Sequence, residues 1–388
     1  MQNEVSIQGM QKTQKCLAPE YPGGIILPQK KVEEGPKWGL GGVCDKEGHF
    51  IESSYYDGGW ATHGGYYDWG NEEDYINEDA VYIGMFFLHW GHFLIDLTNR
   101  LWVLPKLIKE HRQFKVAYLG DEIPEGNNLR FFELLGVEKE QLYQVKKPTR
   151  FRNVIVPDQA FKSCSWYTEE HLAMLDCVVD KALSADSLRD KERIPKKVYF
   201  SRRHFSKAKV SEFGEEYIEK LFVQNGYQCL FPEELCLDEQ IYVWNNATDI
   251  VCINGSIPLN LMFCRNQSLH LTVLNKTTLK HENPYILLEM RKLHAEFINT
   301  CKEPIKGYPK SLGRGPYLLW PTEEFDEYCQ RENLVQPLNE RKRNAYFNQQ
   351  KFNYYRTVIG LKQKVRSWVL GHMPNKMKER IKKGMHVD

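Results

Sequence analysis

Strand-like and helix-like segments alternate along this chain from about residue 81 to residue 275, and this alternation limits the possible folds most strongly. Short apolar runs at residues 81–84 and 114–119 have the composition of buried strands. Between them, residues 89–110 have an apolar residue at every third or fourth position, which predicts a helix: Phe93, Leu97, Leu101, Leu104 and Ile108. Because parallel strands need such connections, the sequence predicts an α/β fold in which helices cover a parallel sheet.

Later segments continue the same alternation. Residues 128–135 form a predicted helix that Gly136 closes, and residues 168–188 form another with Thr168 as its N-cap. A second series follows, with strands at residues 198–201, 227–231, 250–253 and 269–274 and helices at residues 211–224, at residues 238–246 and after Gly255. This second series is typical of a Rossmann-like half.

The length of 388 residues favours two domains with additional elements. A charged stretch at residues 189–197 is the predicted linker. We therefore expect an N-terminal α/β domain at residues 1–190, which starts with an irregular region rich in Gly and aromatic residues. A Rossmann-like domain is expected at residues 191–300, and a C-terminal extension with basic amphipathic helices at residues 301–388.

The overall composition excludes several classes of protein. Hydrophobic residues make up 42% of the chain and charged residues 27%, which is the balance of a globular protein. A formal net charge of +1, with no arginine-rich stretch among aromatic residues, argues against a nucleic-acid partner. Ten scattered cysteines without Cys-x-x-Cys spacing indicate free structural thiols in a reducing compartment.

The hydropathy pattern predicts where the protein is located. Residues 1–15 are polar and lack the apolar core of a signal peptide. The longest strongly apolar run, residues 81–90, is about half as long as the roughly 20 residues that span a bilayer. We expect a cytoplasmic protein, or one that is bound peripherally at the inner face of the cell membrane.

The last segment of the chain is basic. Residues 351–388 contain ten Lys and Arg residues against two acidic residues, with Val, Ile, Leu and Trp between them. A basic amphipathic segment with Trp suits contact with an anionic membrane surface. A helix that packs across another domain and closes the fold has the same pattern, so the sequence leaves both interpretations open.

His92 and Asp96 are candidates for acid–base chemistry. They are four residues apart on the predicted helix, so they share one face, and Asn99 and Arg100 lie about one turn beyond Asp96. Asp96 can take the proton of an acceptor hydroxyl directly, or it can hold His92 in the tautomer that does so. The structural alternative is a core histidine next to a surface Asp–Arg pair.

Arg202 and Arg203 are candidates for binding phosphate. They directly follow a predicted strand, which puts them at the edge where open α/β sheets bind ligands. Guanidinium groups suit a diphosphate and stabilise charge on a leaving nucleotide. Lys209 adds positive charge, and Glu212 lies in the first turn of the next predicted helix. Arginines that pair with surface acids are the structural alternative.

The segment Asn254-Gly255-Ser256 lies between a predicted buried strand and a predicted helix start. Gly255 permits close approach of the backbone, and free N–H groups at a helix start favour an anion. Glu239, on the preceding helix, is placed to bind a ribose or sugar hydroxyl, although an exposed helix surface explains it equally well. With His92 and Asp96, these segments predict transfer of a group from a phosphate-bearing donor to a hydroxyl.

The aromatic residues at positions 55–69 suggest a sugar subsite. Tyr and Trp alternate there with Asp and Gly, and an aromatic face stacks on the C–H surface of a sugar while Asp binds its hydroxyls. Aromatic residues that pin a loop to the core are the structural alternative. The chain has no zinc-like His/Cys spacing, no Asp-x-Asp after a strand, no Walker loop and no Gly-x-Ser-x-Gly. We predict no metal and no cofactor.

Taken in order, several motifs between residues 81 and 275 resemble glycosyltransferase family 61, a group of GT-B-like enzymes that includes bacterial capsule transferases. The motifs are Gly91-His92-Phe93 with Asp96, Arg100-Leu101-Trp102, Tyr199-Phe200-Ser201-Arg202-Arg203, Gly226-Tyr227, Pro232-Glu233-Glu234-Leu235, Leu237 with Glu239-Gln240-Ile241, and Asn254-Gly255-Ser256 with Asn260. Two places depart from the family pattern, at Lys209 with Ser211-Glu212 and at Asn254-Gly255-Ser256, and both concern the donor type.

The resemblance implies a GT-B-like fold, in which two Rossmann-like domains face each other across a cleft, with a helical tail. It implies metal-independent transfer from a nucleotide sugar to a saccharide or lipid-linked saccharide acceptor in the synthesis of a bacterial surface polysaccharide. Asp96 would be the base, with His92 orienting it or the acceptor, and Asn99 and Arg100 on the acceptor side. The donor would contact Arg202, Arg203, Lys209, Glu212, Glu239, Asn254, Gly255 and Ser256.

Two other functions remain compatible with the sequence. A polysaccharide-modifying enzyme such as a pyruvyl transferase has a similar basic pocket but uses a different donor. A non-catalytic binding or scaffold subunit of a polysaccharide assembly complex would bind sugar or lipid without turnover, with the basic tail as its tether.

Overall fold

The computed structural model describes residues 10–70, 72–185, 195–206, 212–279, 281–301 and 316–372. The chain is a mixed α/β protein with several sheets. It divides into two compact units. The first contains Met1–Phe200, Leu230–Val273 and Lys280–Phe297, and the second contains Ser201–Cys229, Leu274–Leu279 and Ile298–Asp388. These units do not follow the domain boundaries predicted at residues 190 and 300.

A seven-stranded sheet dominates the first unit. Six strands lie in the order Leu40–Cys44, Ile25–Lys30, Thr149–Ile155, Asp74–Met85, Phe114–Leu119 and Leu142–Gln144, and Glu20–Pro22 also pairs with Thr149–Ile155. The last four strands of this order are parallel to one another, whereas the first two are antiparallel to their neighbours. The predicted parallel sheet is therefore present, with antiparallel strands from the Gly-rich N-terminal region at one edge.

Further strands form smaller sheets. Lys197–Phe200 pairs in parallel with Asp249–Ile253, and His270–Asn275 and Ala295–Asn299 follow in the same sheet. Short pairings join Gln11–Lys12 to Trp166–Thr168, Trp166–Thr168 to Phe161–Lys162, and Tyr56–Asp57 to Thr62–His63. One buried apolar core runs from Ile26 to Leu293, on both sides of the predicted linker. That shared core explains why the residues around position 190 do not separate two units.

Helices of the first unit cover these sheets. They are Gly126–Leu135, Glu169–Leu183, Leu237–Asn246 and Asn283–Arg291. Thr168 is the predicted N-cap, since its hydroxyl accepts a hydrogen bond from the amide of His171. Gly136 ends its helix with φ of 90°, a left-handed value that favours glycine.

The prediction of one continuous helix at residues 89–110 is wrong. The structure has a short α-helical turn at Trp90–His92, a π-helical turn at Phe93–Leu97, a 3₁₀ segment at Thr98–Val103 and an α-helix at Leu104–Lys109. Side-chain donors compete with the backbone here, because the Thr98 hydroxyl bonds to the carbonyl of Leu94 and the Asn99 amide bonds to that of Asp96. Apolar spacing alone does not indicate this competition.

The second unit combines the parallel strands Glu212–Phe213 and Tyr317–Leu318 with the helices Glu215–Gln224, Glu323–Arg331 and Leu338–His372. The helix predicted from residue 211 therefore begins four residues late. Gly214 has φ of 95°, and an added Cβ would lie 2.2 Å from the carbonyl oxygen of Leu319. Only glycine fits this reversal, which separates the strand from the helix.

The helix Leu338–His372 has two apolar faces. Phe352 and Tyr355 pack with Phe213, Leu318 and Trp320. Another set of large apolar side chains is exposed to solvent and recurs mostly at seven-residue intervals: Phe347, Tyr354, Leu361, Val365 and Trp368. In the described part of the chain, no helix is both long enough and apolar enough to cross a membrane.

Candidate active site

Asp96 lies in the π-helical turn Phe93–Leu97, which is wider than an α-helical turn. Such turns are rare and often occur at functional sites. The Asp96 side chain is 0% exposed. A carboxylate at this depth needs several hydrogen-bond donors, because an unpaired buried charge is strongly unfavourable.

Three side chains meet the Asp96 carboxylate. The hydroxyl of Tyr56 donates to Oδ1 over 2.6 Å, and the indole Nε1 of Trp60 donates to the same oxygen over 2.9 Å. Nδ1 of His92 lies 2.9 Å from Oδ2. Burial, followed by the neighbouring Asp96 carboxylate, raises the pKa of Tyr56, so its hydroxyl stays a donor at neutral pH. Asp96 is therefore held in one orientation.

His92 is the member of this group that a ligand can reach. Its side chain is 38% exposed. Its ring stacks on that of Trp60, with 4.9 Å between the centroids and 21° between the planes. When Nδ1 donates its hydrogen to Asp96, Nε2 carries the lone pair that can accept a proton. The arrangement can therefore act as a base with a fixed tautomer.

Aromatic rings extend from this pair. Trp38 stacks on Tyr56 with 5.2 Å between the centroids and meets Trp60 edge to face at the same distance. Phe87 meets Trp38 edge to face at 5.0 Å. Trp60 is 42% exposed, so part of this aromatic wall faces solvent. Such rings can bind the C–H face of a sugar.

Tyr56, Trp60 and Trp38 are not among the predicted site residues. For Tyr56 and Trp60, a signal exists in the Tyr-Asp-Gly-Gly-Trp segment, which predicts a sugar subsite but no contact with Asp96. The antiparallel pairing of Tyr56 with His63 turns this segment back on itself. Trp38 stands alone in the sequence, and its part in the aromatic wall depends on the fold.

Asn99 and Arg100 lie beneath the site. They are 2% and 1% exposed. Arg100 donates to the carbonyls of Pro157 and Tyr55, the latter over 2.8 Å, and its guanidinium lies 5.9 Å from the ring centroid of Tyr82. By holding Tyr55, Arg100 fixes the backbone next to Tyr56. These contacts suit support of the site and leave neither residue open to an acceptor.

Asn254, Gly255 and Ser256 follow the strand Asp249–Ile253, as predicted. Oδ1 of Asn254 lies 2.9 Å from Nδ1 of His281, a residue that the sequence does not single out. A Cβ added at Gly91 would lie 3.4 Å from Cβ of Ser256, and Nε1 of Trp90 donates to Asn260 over 3.2 Å. The segment 254–256 thus contacts the turn that carries His92.

The prediction of an α-helix after Gly255 is wrong. The following element is a 3₁₀ segment, Ile257–Phe263, with Ser256 as its N-cap and Pro258 in its first turn. Proline has no amide hydrogen, which removes one of the N–H groups that were expected to face an anion. The argument for phosphate binding at this point therefore rests on side chains and not on a helix N-terminus.

In the second unit, Arg202 is paired with acids. Its Nε donates to both oxygens of Glu212 at 3.2 and 3.0 Å, and its backbone amide donates to Glu215 over 2.8 Å. Lys276 donates to Glu212 over 2.7 Å. Although burial acts to raise the pKa of Glu212, the charges of Lys276 and Arg202 outweigh it and hold that pKa below its usual value. Glu212 is the buried counter-ion of two cations.

Arg203 differs from Arg202 in exposure. Its side chain is 41% exposed against 12%, and its Nη1 donates to Glu219 over 2.8 Å. Lys209 lies outside the described residues. Glu239 is partly buried and accepts a hydrogen bond from the amide of Cys236 over 2.8 Å, which caps the helix Leu237–Asn246. Arg202 and Arg203 thus both have carboxylate partners, and the phosphate-binding role predicted for them stays a prediction.

One cluster in the described part of the chain has ligand atoms close enough to hold a metal ion. These atoms belong to Asp45, Glu47 and His49 and lie within 4.8 Å of one another. They occupy a surface turn in which Asp45 accepts the amide hydrogens of Glu47 and His49. The cluster does not involve Asp96 or His92.

A comparison with protein families adds to this geometry. The model of the family described as Glycosyltransferase 61 matches residues 90–271, a segment that includes His92, Asp96, Arg202 and Asn254. This match supports a member of that family, and hence a transferase. Tyr56, Trp60 and the basic tail lie outside the matched segment. No curated protein matches the chain.

Proposed function

We propose that this protein is a glycosyltransferase in which His92 is the general base and Asp96 fixes its tautomer. The sequence leaves two roles open for Asp96. The observation that carries the proposal is that the Asp96 side chain is 0% exposed and meets three donors, whereas the His92 ring is accessible. A carboxylate in that setting supports the second role, since a base must reach its proton within hydrogen-bond distance.

The transfer follows from this assignment. Nε2 of His92 accepts the proton of the acceptor hydroxyl while Nδ1 keeps its hydrogen bond to Asp96. The acceptor oxygen forms a bond to the anomeric carbon of the donor sugar, and the bond from that carbon to the phosphate oxygen breaks. The nucleotide leaves with the electron pair. Asp96 stabilises the imidazolium cation that forms at His92.

The acceptor is a saccharide or lipid-linked saccharide. Trp60, the exposed ring of the aromatic wall, supports this choice, because a sugar presents C–H faces that stack on an indole ring. Trp60 contributes twice, through its ring against His92 and through its Nε1 on Asp96. A sugar bound to Trp60 would therefore contact a side chain that also holds Asp96 in place.

The donor is a nucleotide sugar. Asn254, Ser256 and His281 are its proposed contacts in the first unit, supported by the packing of Ser256 next to Gly91 and by the contact between Asn254 and His281. For the second unit, a separate hypothesis assigns Arg203 to a diphosphate, supported by its exposure, with Arg202 and Lys276 held nearby by Glu212. Lys209 and Glu239 keep the donor role that the resemblance implies.

The finer features implied by the resemblance belong to the same proposal. They are a GT-B-like fold, transfer without a metal ion, and a role in the synthesis of a bacterial surface polysaccharide on the cytoplasmic side of the membrane. The family match over residues 90–271 supports glycosyltransferase activity, whereas these finer features rest on the resemblance of the motifs.

Contact of the basic tail with an anionic membrane is also part of the proposal. The exposed apolar row on the helix Leu338–His372 supports it, and residues 341–378 contain ten Lys and Arg residues and no acidic residue. Lipid headgroups of opposite charge complement such a surface. Two tails packed on each other would instead bring like charges together.

A donor screen tests the proposed function. We would measure the thermal stability of the purified protein with UDP-, GDP-, CMP- and dTDP-sugars and with the free nucleotides, and then the release of nucleotide in the presence of saccharide acceptors. Binding at a ligand concentration 100 times Kd adds about 2.7 kcal/mol of stability, which is readily detected. We expect one nucleotide class to stabilise the protein and to support turnover.

Two variants complete this test. The His92→Ala variant should bind the donor normally but lose turnover, whereas His49→Ala, in which an exposed histidine of the surface turn is removed, should behave as wild type. Full turnover of His92→Ala would contradict the proposed base. Stabilisation by no nucleotide would instead favour a pyruvyl-type transferase or a binding subunit.

A further inference from the structure

A surface groove in the first unit, away from His92, has the composition of a saccharide-binding site. Its volume is about 340 Å³, and its lining includes Tyr66, Asp68, Trp69, Glu73 and Arg150. This volume is at the lower end of the range for ligand pockets, which suits one or two sugar rings. Asp96 and His92 are not among its lining residues.

Arg150 and Glu73, which both line the groove, form an ion pair that fixes their positions. Nε of Arg150 donates to Glu73 over 2.5 Å, and its Nη1 donates to the carbonyls of Gly23 and Lys46 over 2.8 and 3.4 Å. The side chains of Glu73 and Arg150 are 25% and 27% exposed, so both present some of their surface to solvent. A guanidinium and a carboxylate held in this way offer preorganised donors and acceptors for hydroxyl groups.

Two aromatic side chains, Tyr66 and Trp69, also line the groove. Trp69 packs against the small core of Ile25, Leu27 and Cys44, which fixes its ring. Tyr66 meets Trp69 edge to face, with 5.7 Å between the centroids, and is itself 52% exposed. The carboxylate of Asp68 accepts the amide hydrogen of Gly70 over 2.9 Å, which fixes the turn that carries these rings. The groove thus combines an exposed ring with positioned polar groups.

The charges around the groove decide which sugar it suits. Lys46 and Arg150 contribute two positive charges, and Glu47, Asp68 and Glu73 contribute three negative charges. Glu73 pairs with Arg150 and Lys46 with Glu47, so Asp68 is the excess charge. A small negative excess disfavours uronic acids and other anionic sugars. A neutral hexose or an N-acetylhexosamine meets no such repulsion.

We propose that this groove is a saccharide subsite, separate from the His92 site, that binds an uncharged sugar unit. The groove and the His92 site share one chain segment. Tyr56 and Trp60 contact Asp96, and Tyr66 and Trp69 follow them in the same segment and line the groove. Hydrogen bonds of 3.1 and 3.0 Å from the amides of Gly64 and Gly65 tie this segment to Gly39 and Gly41. The subsite does not depend on the transfer reaction and would bind its sugar without a donor.

The test is a binding measurement on the full chain without nucleotide. An array of uncharged glycans that includes maltotriose, cellotriose and triacetylchitotriose identifies the sugar, and calorimetric titration gives its Kd. We expect Tyr66→Ala to raise that Kd about tenfold, as loss of an aromatic contact worth roughly 1.4 kcal/mol would do. Tyr66→Phe keeps the ring and should bind within about threefold of wild type.

Two control variants check that the sugar binds in this groove. Tyr354→Ala removes another exposed tyrosine, from the helix Leu338–His372, and should leave Kd unchanged. His92→Ala should also bind as wild type, even if it has no turnover. The proposal is overturned if no uncharged glycan binds, if Tyr66→Ala binds as tightly as wild type, or if His92→Ala abolishes binding, since the sugar would then occupy the His92 site.

Discussion

Nδ1 of His92 lies 2.9 Å from Oδ2 of Asp96, and Oδ1 of the same carboxylate accepts hydrogen bonds from Tyr56 and Trp60. Both carboxylate oxygens are thus occupied by side chains of the protein. The exposed partner of the pair is the histidine. Of the two roles that the sequence leaves open for Asp96, this asymmetry favours the one in which Asp96 fixes the tautomer of His92.

Asp96→Asn should lower kcat by about 10² to 10⁴, the usual contribution of a positioned acid or base, with a smaller change in KM. An amide at this position can present its N–H group to His92 and favour the wrong tautomer. Steady-state kinetics with saturating donor would measure the effect. Glu110→Gln, a charge removal next to the surface helix Leu104–Lys109, is the matched control and should have wild-type kinetics. Wild-type kcat in Asp96→Asn would contradict the tautomer role.

Tyr56→Phe should destabilise the fold by about 1–3 kcal/mol, because it leaves Oδ1 of buried Asp96 with one donor fewer. It should also reduce kcat, since Asp96 would be held less firmly. Chemical denaturation together with kinetics separates the two effects. Tyr66→Phe removes an exposed hydroxyl instead and should change stability by less than about 0.5 kcal/mol. Equal effects of both substitutions would show that the Tyr56 hydroxyl does not support Asp96.

Glu212→Gln should destabilise the fold by about 3–5 kcal/mol, because it leaves Arg202 and Lys276 without their buried counter-ion. Glu219→Gln removes the charged partner of the more exposed Arg203 but keeps an amide oxygen that can accept from the Ser201 hydroxyl, so it should cost only about 1 kcal/mol. The free energy of unfolding of both variants at pH 7 checks this difference. Similar values for the two would contradict the buried counter-ion role.

The pKa of Glu212 also predicts a pH dependence. Because the folded-state pKa of this carboxyl is lowered below its usual value, its contribution to stability is present above that usual value and is lost as the pH falls through the folded-state pKa. Unfolding free energies measured from about pH 6 down to about pH 3 should therefore fall more steeply for wild type than for Glu212→Gln. Parallel pH profiles would show that Glu212 does not contribute in this way.

Arg203→Ala should weaken nucleotide binding about tenfold or more if its guanidinium meets the diphosphate, because charge-assisted bonds of this kind are worth about 1.5–3 kcal/mol. Glu219→Gln frees the same guanidinium from its partner and should bind nucleotide at least as well as wild type. EDTA should change neither value. Wild-type affinity in Arg203→Ala would remove Arg203 from the donor site, and loss of binding with EDTA would contradict metal independence.

The C-terminal helix should bind anionic vesicles. Phosphatidylglycerol-containing vesicles should sediment with the protein, neutral phosphatidylcholine vesicles should not, and added salt should weaken the binding. The double variant Lys362→Gln, Lys364→Gln should reduce binding roughly 30-fold, at about 1 kcal/mol for each lysine. A control with Lys31→Gln and Lys106→Gln removes as much charge elsewhere. Equal loss in both double variants would point to net charge alone and not to this surface.

Local patterns in the sequence are enough to predict many elements. The strand Phe114–Leu119 has its predicted bounds, and the helix Gly126–Leu135 ends at the predicted glycine. Thr168 caps its helix through the hydroxyl that the sequence indicates. These features depend on residues close to one another in the chain, where capping and periodicity act directly.

Other features depend on contacts between distant residues. Tyr56 and Trp60 precede Asp96 by 40 and 36 positions, so no spacing rule connects them. Arg202 lies just beyond the strand Lys197–Phe200, which ends one residue earlier than predicted, and the carboxylate that pairs with Arg202 comes from a strand that was predicted to be part of a helix. The pair His92 and Asp96 can be found from the sequence because four-residue spacing keeps them close in either kind of helical turn.

The π-helical turn Phe93–Leu97 contains one residue more than an α-helical turn of the same height would. Loss of a single residue from this turn would leave a regular helix, but it would rotate the side chain of Asp96 by roughly 100° relative to the preceding turn. Tyr56 and Trp60 would then have no carboxylate to meet. The number of residues in this turn is therefore as important as their identity. It decides whether Asp96 can hold His92 in one orientation.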